Sequence, residues 1–282
     1  MPTCFNVEVN KGVARIHMNR PEKMNSMIKE FWIELPETMA DLETRGDVRA
    51  VVISSEGKHF CCGLDLSVFT DDDGRNKDLE HGRDRLNVRE SILALQKTFS
   101  CLDDARIPVL AACQGGVIGG AVDLVTACDM RYATEEAFFS IAEINLGMTA
   151  DAGTFPRIAH VLPQGLAKEL AYTGRRMYAD EALRVGLVNQ VYATQEELIN
   201  GVMDIATEIA SKSPLAVHGS KVMLNYARDH SIRDALDYIS VWQAGMYRPE
   251  TDIVETFNAK AEKRAPEFQD LAPMSTQPFG AA

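Results

Sequence analysis

The sequence predicts an α/β fold with a helical C-terminal region, and three observations predict it. Residues 50–54 (Ala-Val-Val-Ile-Ser) and 108–113 (Pro-Val-Leu-Ala-Ala-Cys) are short, nearly continuous apolar runs. Runs of that kind suit strands covered on both faces of a parallel sheet. Between them, Ile92, Leu95, Phe99 and Leu102 recur at helical spacing, so strand and helix alternate. Alternation of this kind implies parallel strands joined by right-handed crossovers. After residue 192 the periodicity becomes almost wholly helical.

The elements follow in chain order. Phe5, Val7 and Val9 alternate with polar residues, and residues 13–18 repeat a strand pattern after Lys11-Gly12, which reads as a hairpin turn. Residues 28–44 read as an amphipathic helix, with a kink or early break expected at Pro36. Residues 70–89 are dense in charge and read as a solvated loop. Residues 188–192 close the alternating part, and helices are expected over 196–210, 214–228 and 231–246. Ser213-Pro214 starts a helix well, with serine as the cap and proline at the first position. We therefore divide the chain into a core over residues 1–205, a helical region over 206–265 and a loose tail over 266–282.

Composition narrows the function classes. The chain has 282 residues, 46% of them hydrophobic and 25% charged, enough for one large domain that needs neither metal nor disulfide. Twenty-nine basic residues against 41 acidic ones give a net charge of −12, which speaks against a nucleic-acid partner. No apolar run approaches the ~20 residues that span a bilayer, so no membrane association is expected. The N-terminal residues carry no leader pattern and the C-terminal ones no receptor-read address, so a cytoplasmic location is expected. Six cysteines without a Cys-x-x-Cys spacing read as reduced thiols, and the histidines show no metal spacing.

Three features can carry chemistry. Gly115, Gly116, Gly119 and Gly120 follow the strand at 108–113 and precede a helical run. They could serve tight strand–helix packing alone, or they could leave N–H groups at a helix start free for developing negative charge. Gly63, after the strand at 50–54, offers a second turn of the same kind. Two such turns could supply the convergent donors of an oxyanion hole. Finally, Asp123, Glu143 and Asp151 all lie in apolar company, which raises a carboxyl pKa when the group is buried and suits acid–base work. The plainer role for Asp123 is a helix cap. His59 beside the Gly63 turn reads as an exposed polar residue, and Met177 and Met223 as core filler.

The segments Phe60-Cys-Cys-Gly-Leu-Asp65 and Gly115-Gly-Val-Ile-Gly-Gly-Ala-Val-Asp123 together resemble the two signature segments of the crotonase (enoyl-CoA hydratase/isomerase) superfamily. Cys128-Asp-Met-Arg131, Phe138-Phe-Ser140, Leu146-Gly147 and residues 182–188 agree with it. The resemblance implies a crotonase-type spiral of ββα repeats with a C-terminal helical region used in trimerisation, giving a homo-trimer or a hexamer of paired trimers. It implies an acyl-CoA thioester as substrate, held by the Leu64 and Gly120 N–H groups as oxyanion hole, with Cys62, Gly63, Asp65, Leu66 and Gly119 at the substrate. Lys23 and Lys58 are candidates for the CoA phosphates. No cofactor or metal is implied, coenzyme A being part of the substrate.

Within the superfamily the acids decide the reaction. Hydratases resemble one another in having two glutamates, at the positions of Asp123 and Glu143; here the first is the shorter aspartate. The trio Asp123, Glu143 and Asp151 is similar instead to that of the Δ3,5-Δ2,4-dienoyl-CoA isomerases, as are residues 122–129, 211–217 and 221–231. That branch implies proton transfers at C2 and C6 by Glu143 and Asp151, with Asp123 in support, in fatty acid β-oxidation. The alternative is an enoyl-CoA hydratase, a lyase, using Asp123 and Glu143. A non-catalytic acyl-CoA or RNA binder is disfavoured by the acidic charge and the three acids.

Overall fold

The computed structural model describes residues 3–69, 80–246 and 250–274. A hairpin opens it: β1 (Phe5–Asn10) pairs antiparallel with β2 (Val13–Met18), Phe5 opposite Met18. Lys11 and Gly12 both take positive φ (48° and 79°), the turn whose twist matches that of the strands. Then come α1 (Phe31–Arg45), β3 (Ala50–Ser55), α2 (His81–Asp103) and β4 (Val109–Cys113). β5 (Gly116–Ile118), α3 (Gly120–Ala127), β6 (Met130–Thr134) and β7 (Phe138–Ser140) follow. Next are α4 (Thr154–Val161), α5 (Gln164–Thr173), β8 (Met177–Tyr178), α6 (Ala179–Arg184) and β9 (Gln190–Tyr192). The remainder is α7 (Gln195–Ala210), α8 (Pro214–Asp229), α9 (Ile232–Val241) and α10 (Glu250–Glu262).

Two sheets result. The larger has the order β1-β2-β3-β4-β6-β9 and is parallel from β2 onward. The smaller has the order β5-β7-β8. Each passage from a strand of the first sheet to one of the second and back through a helix makes one turn of the expected spiral. β3 and β4 are buried at every residue, which is why their sequences lack alternation. One face of the large sheet packs on α1 and α2, where Phe31, Trp32 and Phe99 meet edge to face. The other face is covered by α7 through Leu198, Val202 and Ala206.

Four expectations change. Pro36 does not break α1: the Trp32 carbonyl that its missing N–H leaves free accepts the Thr98 hydroxyl at 3.1 Å. The charged segment read as a loop over 70–89 is helix from His81 on, its first turns too solvent-exposed to show an apolar stripe; residues 70–79 lie outside the described residues. A boundary at 205 would cut α7, which lies whole against the sheet, so in packing terms the helical region begins at Pro214. The tail is not loose over 266–274: Arg49 donates to the Phe268 carbonyl (2.6 Å) and the Asp270 carboxylate (2.8 Å), and the Met274 N–H to Thr44. Residues 275–282 lie outside the described residues.

α8 is fastened to the core by one buried cation. Lys221 Nζ donates to the Leu102 and Ile107 carbonyls and to the Asp129 carboxylate at 2.8 Å. The Ser213 hydroxyl caps α8 and also donates to Asp252 of α10. Among the described residues, no helix is long and apolar enough to cross a membrane.

Candidate active site

The cleft forms where the chain leaves β3 and β4. After β3 it runs through residues 56–65, and two isolated parallel bridges fix the run in place. Cys61 pairs with Val117 on β5, and Leu64 pairs with Met27. The Met27 bridge uses the Gly63 carbonyl (2.8 Å) and the Asp65 N–H (3.0 Å). In such a pairing the N–H of the residue between them points the other way. Leu64 N–H therefore faces the start of α3, and it has no acceptor among the described residues.

Gly120 is the first residue of α3, where an N–H has no partner within the helix. A Cβ placed on Gly120 would lie 3.9 Å from the Leu64 nitrogen, so the two donors stand side by side. Gly63 makes this approach possible. Its φ is +79°, and a Cβ there would come within 2.6 Å of the Ile118 carbonyl oxygen. Ala121, the next residue of α3, has no positive φ and is fully buried.

Side chains brace the donor wall from behind. Asn25, buried in a left-handed conformation, donates to the Glu56 and His59 carbonyls. Asp65 accepts from the Ser26 hydroxyl (2.7 Å) and the Ser67 N–H (3.0 Å), bonds that hold its carboxyl down at about 2. Its carboxylate is thus committed to the turn rather than open toward a ligand. Cys61 is buried, its thiol donating to the Asn25 carbonyl, whereas Cys62 is half-buried and Leu66 exposed. His59 is not simply exposed: its Nδ1 accepts the Gly116 N–H at 2.9 Å, and burial together with Lys58 lowers its pKa. Lys23 and Lys58 are both exposed and sit on neighbouring turns, Gly57 lying against Pro21. Met177 is core, fully buried, and Met223 is half-buried.

The acids form the opposite wall. Glu143, in the short 3-10 turn Ala142–Leu146, brings Oε1 to within 3.3 Å of where a Gly119 Cβ would be. Its Oε2 is buried without a hydrogen-bond partner. Burial pushes this carboxyl up to about 7, and the charges of Asp123 and Asp151 add to the push. Asp123, 2% exposed on α3, accepts the Thr154 N–H at 2.6 Å. It does cap a helix, but α4 rather than its own. Burial still lifts it to about 6, with Asp151 contributing and Arg157 opposing. Asp151 is exposed, in the turn before α4 beside a cavity of ≈400 Å³, and its carbonyl accepts from Gln96 at 2.8 Å. All three sequence-predicted acids are therefore within electrostatic reach of one another, and Glu143 among them lies beside the two outward N–H groups.

Comparison with known proteins agrees with this geometry. Residues 8–271 match the enoyl-CoA hydratase/isomerase family. The chain belongs to that family. Like other enoyl-CoA hydratase/isomerase family members it is an enzyme, and its relatives include two named for one reaction. The mitochondrial Delta(3,5)-Delta(2,4)-dienoyl-CoA isomerase of Mus musculus is 42% identical over 255 residues, 90% of this chain and 78% of that one. The peroxisomal enzyme of the same name from Arabidopsis thaliana is 40% identical over 266 residues, 93% and 94% of the two chains. Among solved structures, the enoyl-CoA hydratase of Bacillus anthracis superposes with a TM-score of 0.82 at 28% identity, over 94% of this chain and 99% of that one.

Sequence reasoning did not find Met27, Asn25, Ser26 or Thr154, which aim the donors and hold Asp123. The positive-φ pair Met24-Asn25 leaves a trace, since asparagine favours that conformation. The Thr154 contact spans 31 residues and leaves none.

Proposed function

We propose that this enzyme isomerises a 3,5-dienoyl-CoA to the 2,4-dienoyl-CoA in fatty acid β-oxidation. The observation that carries the reading is a third acid, Asp151, whose charge reaches both Asp123 and Glu143, the latter lying against Gly119 beside the Gly120 and Leu64 N–H groups. A base removes a proton from C2 of the thioester, and the electron pair left there spreads onto the carbonyl oxygen on one side and through the two double bonds to C6 on the other. The two N–H groups stabilise that oxyanion; donors of this kind are worth about 3–4 kcal/mol each. The dienolate then takes a proton at C6 and the double bonds shift, with no net gain or loss of atoms or electrons. The step is redox-neutral, so it calls for no cofactor beyond the CoA of the substrate.

Glu143 suits the C2 position. It lies against Gly119 beside the donors, keeps one oxygen without a partner, and has a pKa near neutrality where proton transfer is most efficient. Asp151, farther out and exposed, suits C6. Asp123 is committed to the Thr154 N–H, which sets it up to hold and tune rather than to grip a water as a hydratase would. Cys62, Gly63, Leu66 and Gly119 would line the acyl path, and Lys23 and Lys58 would meet the CoA phosphates.

A trimer, or a hexamer of paired trimers, belongs to the same proposal. It is supported by exposed apolar side chains on the C-terminal helices, among them Leu224, Ile232, Leu236 and Phe257. The cytoplasmic location stands beside relatives whose names place them in mitochondria and peroxisomes. The test of function is absorbance with a 3,5-dienoyl-CoA, run beside crotonyl-CoA. Growth of the conjugated 2,4-dienoyl chromophore with little loss of crotonyl absorbance supports the isomerase. Rapid hydration of crotonyl-CoA without dienoyl product would make it a hydratase.

A further inference from the structure

Arg157 stands in an unusual place for a cation. It is on the first turns of α4, its side chain 14% exposed, and it lies against Gly153 in the turn that precedes that helix. A Cβ on Gly153, whose φ is +131°, would collide with Nη1 of Arg157, so the tip of the guanidinium abuts bare main chain there. Gly153 is flanked by the two groups that matter. Asp151 is two residues before it, and Thr154, whose N–H holds Asp123, directly follows.

The guanidinium is itself held from the far side. Its Nη2 donates to the Ser100 hydroxyl at 3.0 Å, and Nε faces Asp103 at 3.6 Å, both on α2. Asp103 is in turn gripped by Arg228 of α8 at 2.9 Å and by the Asn225 amide. A chain of contacts therefore runs from the C-terminal helices through Asp103 and Arg157 to the Asp151 turn.

We propose that Arg157 is a positioning residue, clamped by Asp103 and Ser100, that holds the 151–154 turn so that Asp151 and the Thr154 N–H stay aimed at the cleft. The proposal rests on the isomerase reading, because a hydratase would have no use for Asp151. Two effects separate in it. The Nη1 contact on Gly153 sets geometry, and misplacing a catalytic group by ~1 Å can cost ~100-fold in rate. The positive charge opposes the upward shift of Asp123. Around the guanidinium the titratable and charged groups are Asp103 on α2, Asp123 on α3, Asp151 in the turn, His160 on α4 and Arg228 with Asp229 on α8.

The experiment compares wild type, Arg157→Lys, Arg157→Gln and Asp103→Asn in dienoyl isomerisation across pH, with affinity for octanoyl-CoA as a probe that cannot react. Arg157→Gln should lose at least ~tenfold in kcat with octanoyl-CoA affinity nearly unchanged, and its acid limb should move to higher pH. Arg157→Lys keeps the charge but cannot reach Gly153, Ser100 and Asp103 together as the forked guanidinium does. It should lose kcat while its acid limb stays in place, and Asp103→Asn should behave likewise with a smaller loss. Should Arg157→Gln not fold, these two variants carry the test. Wild-type turnover with unchanged kcat in the Arg157 and Asp103 variants would overturn the inference alone, as would equal losses of kcat and octanoyl-CoA affinity. Absence of dienoyl product from the wild type would overturn the isomerase reading and this inference with it.

Discussion

The Leu64 and Gly120 N–H groups belong to main chain that a strand bridge and a helix start hold, whereas Asp123, Glu143 and Asp151 present side chains whose properties depend on what surrounds them. On the donor wall, the bridges of Cys61 to Val117 and Leu64 to Met27 set direction, and side-chain identity matters mainly where a Cβ would intrude. On the acid wall, two carboxyls pushed toward neutrality and one left exposed differ only through burial and neighbours. The contrast teaches how one scaffold can run different reactions. A rigid donor pair serves any thioester enolate, while moving or adding a carboxylate changes where the proton goes.

The contrast can be broken at its strongest point by Glu143→Gln. It should lower kcat for dienoyl isomerisation by ~1,000-fold with KM within about threefold, since it removes proton transfer and little binding. Steady-state kinetics checks this, and an equal rise in KM would show that Glu143 mainly binds. Gly63→Ala attacks the other wall. The added Cβ meets the Ile118 carbonyl oxygen at 2.6 Å, so Leu64 N–H must turn away. A loss of ~100-fold in kcat is expected, the scale of losing one oxyanion donor. Full activity in that variant would mean that Leu64 N–H is not used.

A smaller effect sharpens the difference in environment. A carboxyl raised in the folded state stabilises the fold fully below its unfolded pKa and loses that contribution as pH rises through its folded one. For Glu143 the window runs from 4.5 to about 7. Glu143→Gln, which never ionises, should therefore be more stable than wild type at pH 8 by on the order of 2 kcal/mol. The gap should close below pH 4.5. Thermal melting across pH measures it, and a constant gap would place the carboxyl in water rather than in the cleft.

The donor wall was the more legible of the two in the sequence. Glycines at 63, 119 and 120 within ten residues of buried apolar runs announce turns and close approaches, and local rules suffice to read them. Strands β2 to β4 and helices α7 and α8 were legible for the same reason, each showing its period within a few residues. The acid wall was legible only as residue types in apolar company. That Asp123 caps α4, that Asp65 braces a turn, and that Arg157 lies on Gly153 are contacts between segments far apart in sequence. The exposed first turns of α2 escaped notice because a solvated helix face has no apolar stripe to read. Pro36 misled because the remedy, the Thr98 hydroxyl, comes from another helix.

The division of labour between the two walls is tested most directly by Asp151→Asn with a 3,5-dienoyl-CoA in deuterated water. With Glu143 acting at C2 and Asp151 at C6, octanoyl-CoA affinity should be nearly intact, deuterium should still exchange into C2, and 2,4-dienoyl product should fall by ~100-fold or more. Product formed at the wild-type rate would contradict the account and leave the third acid without a catalytic part.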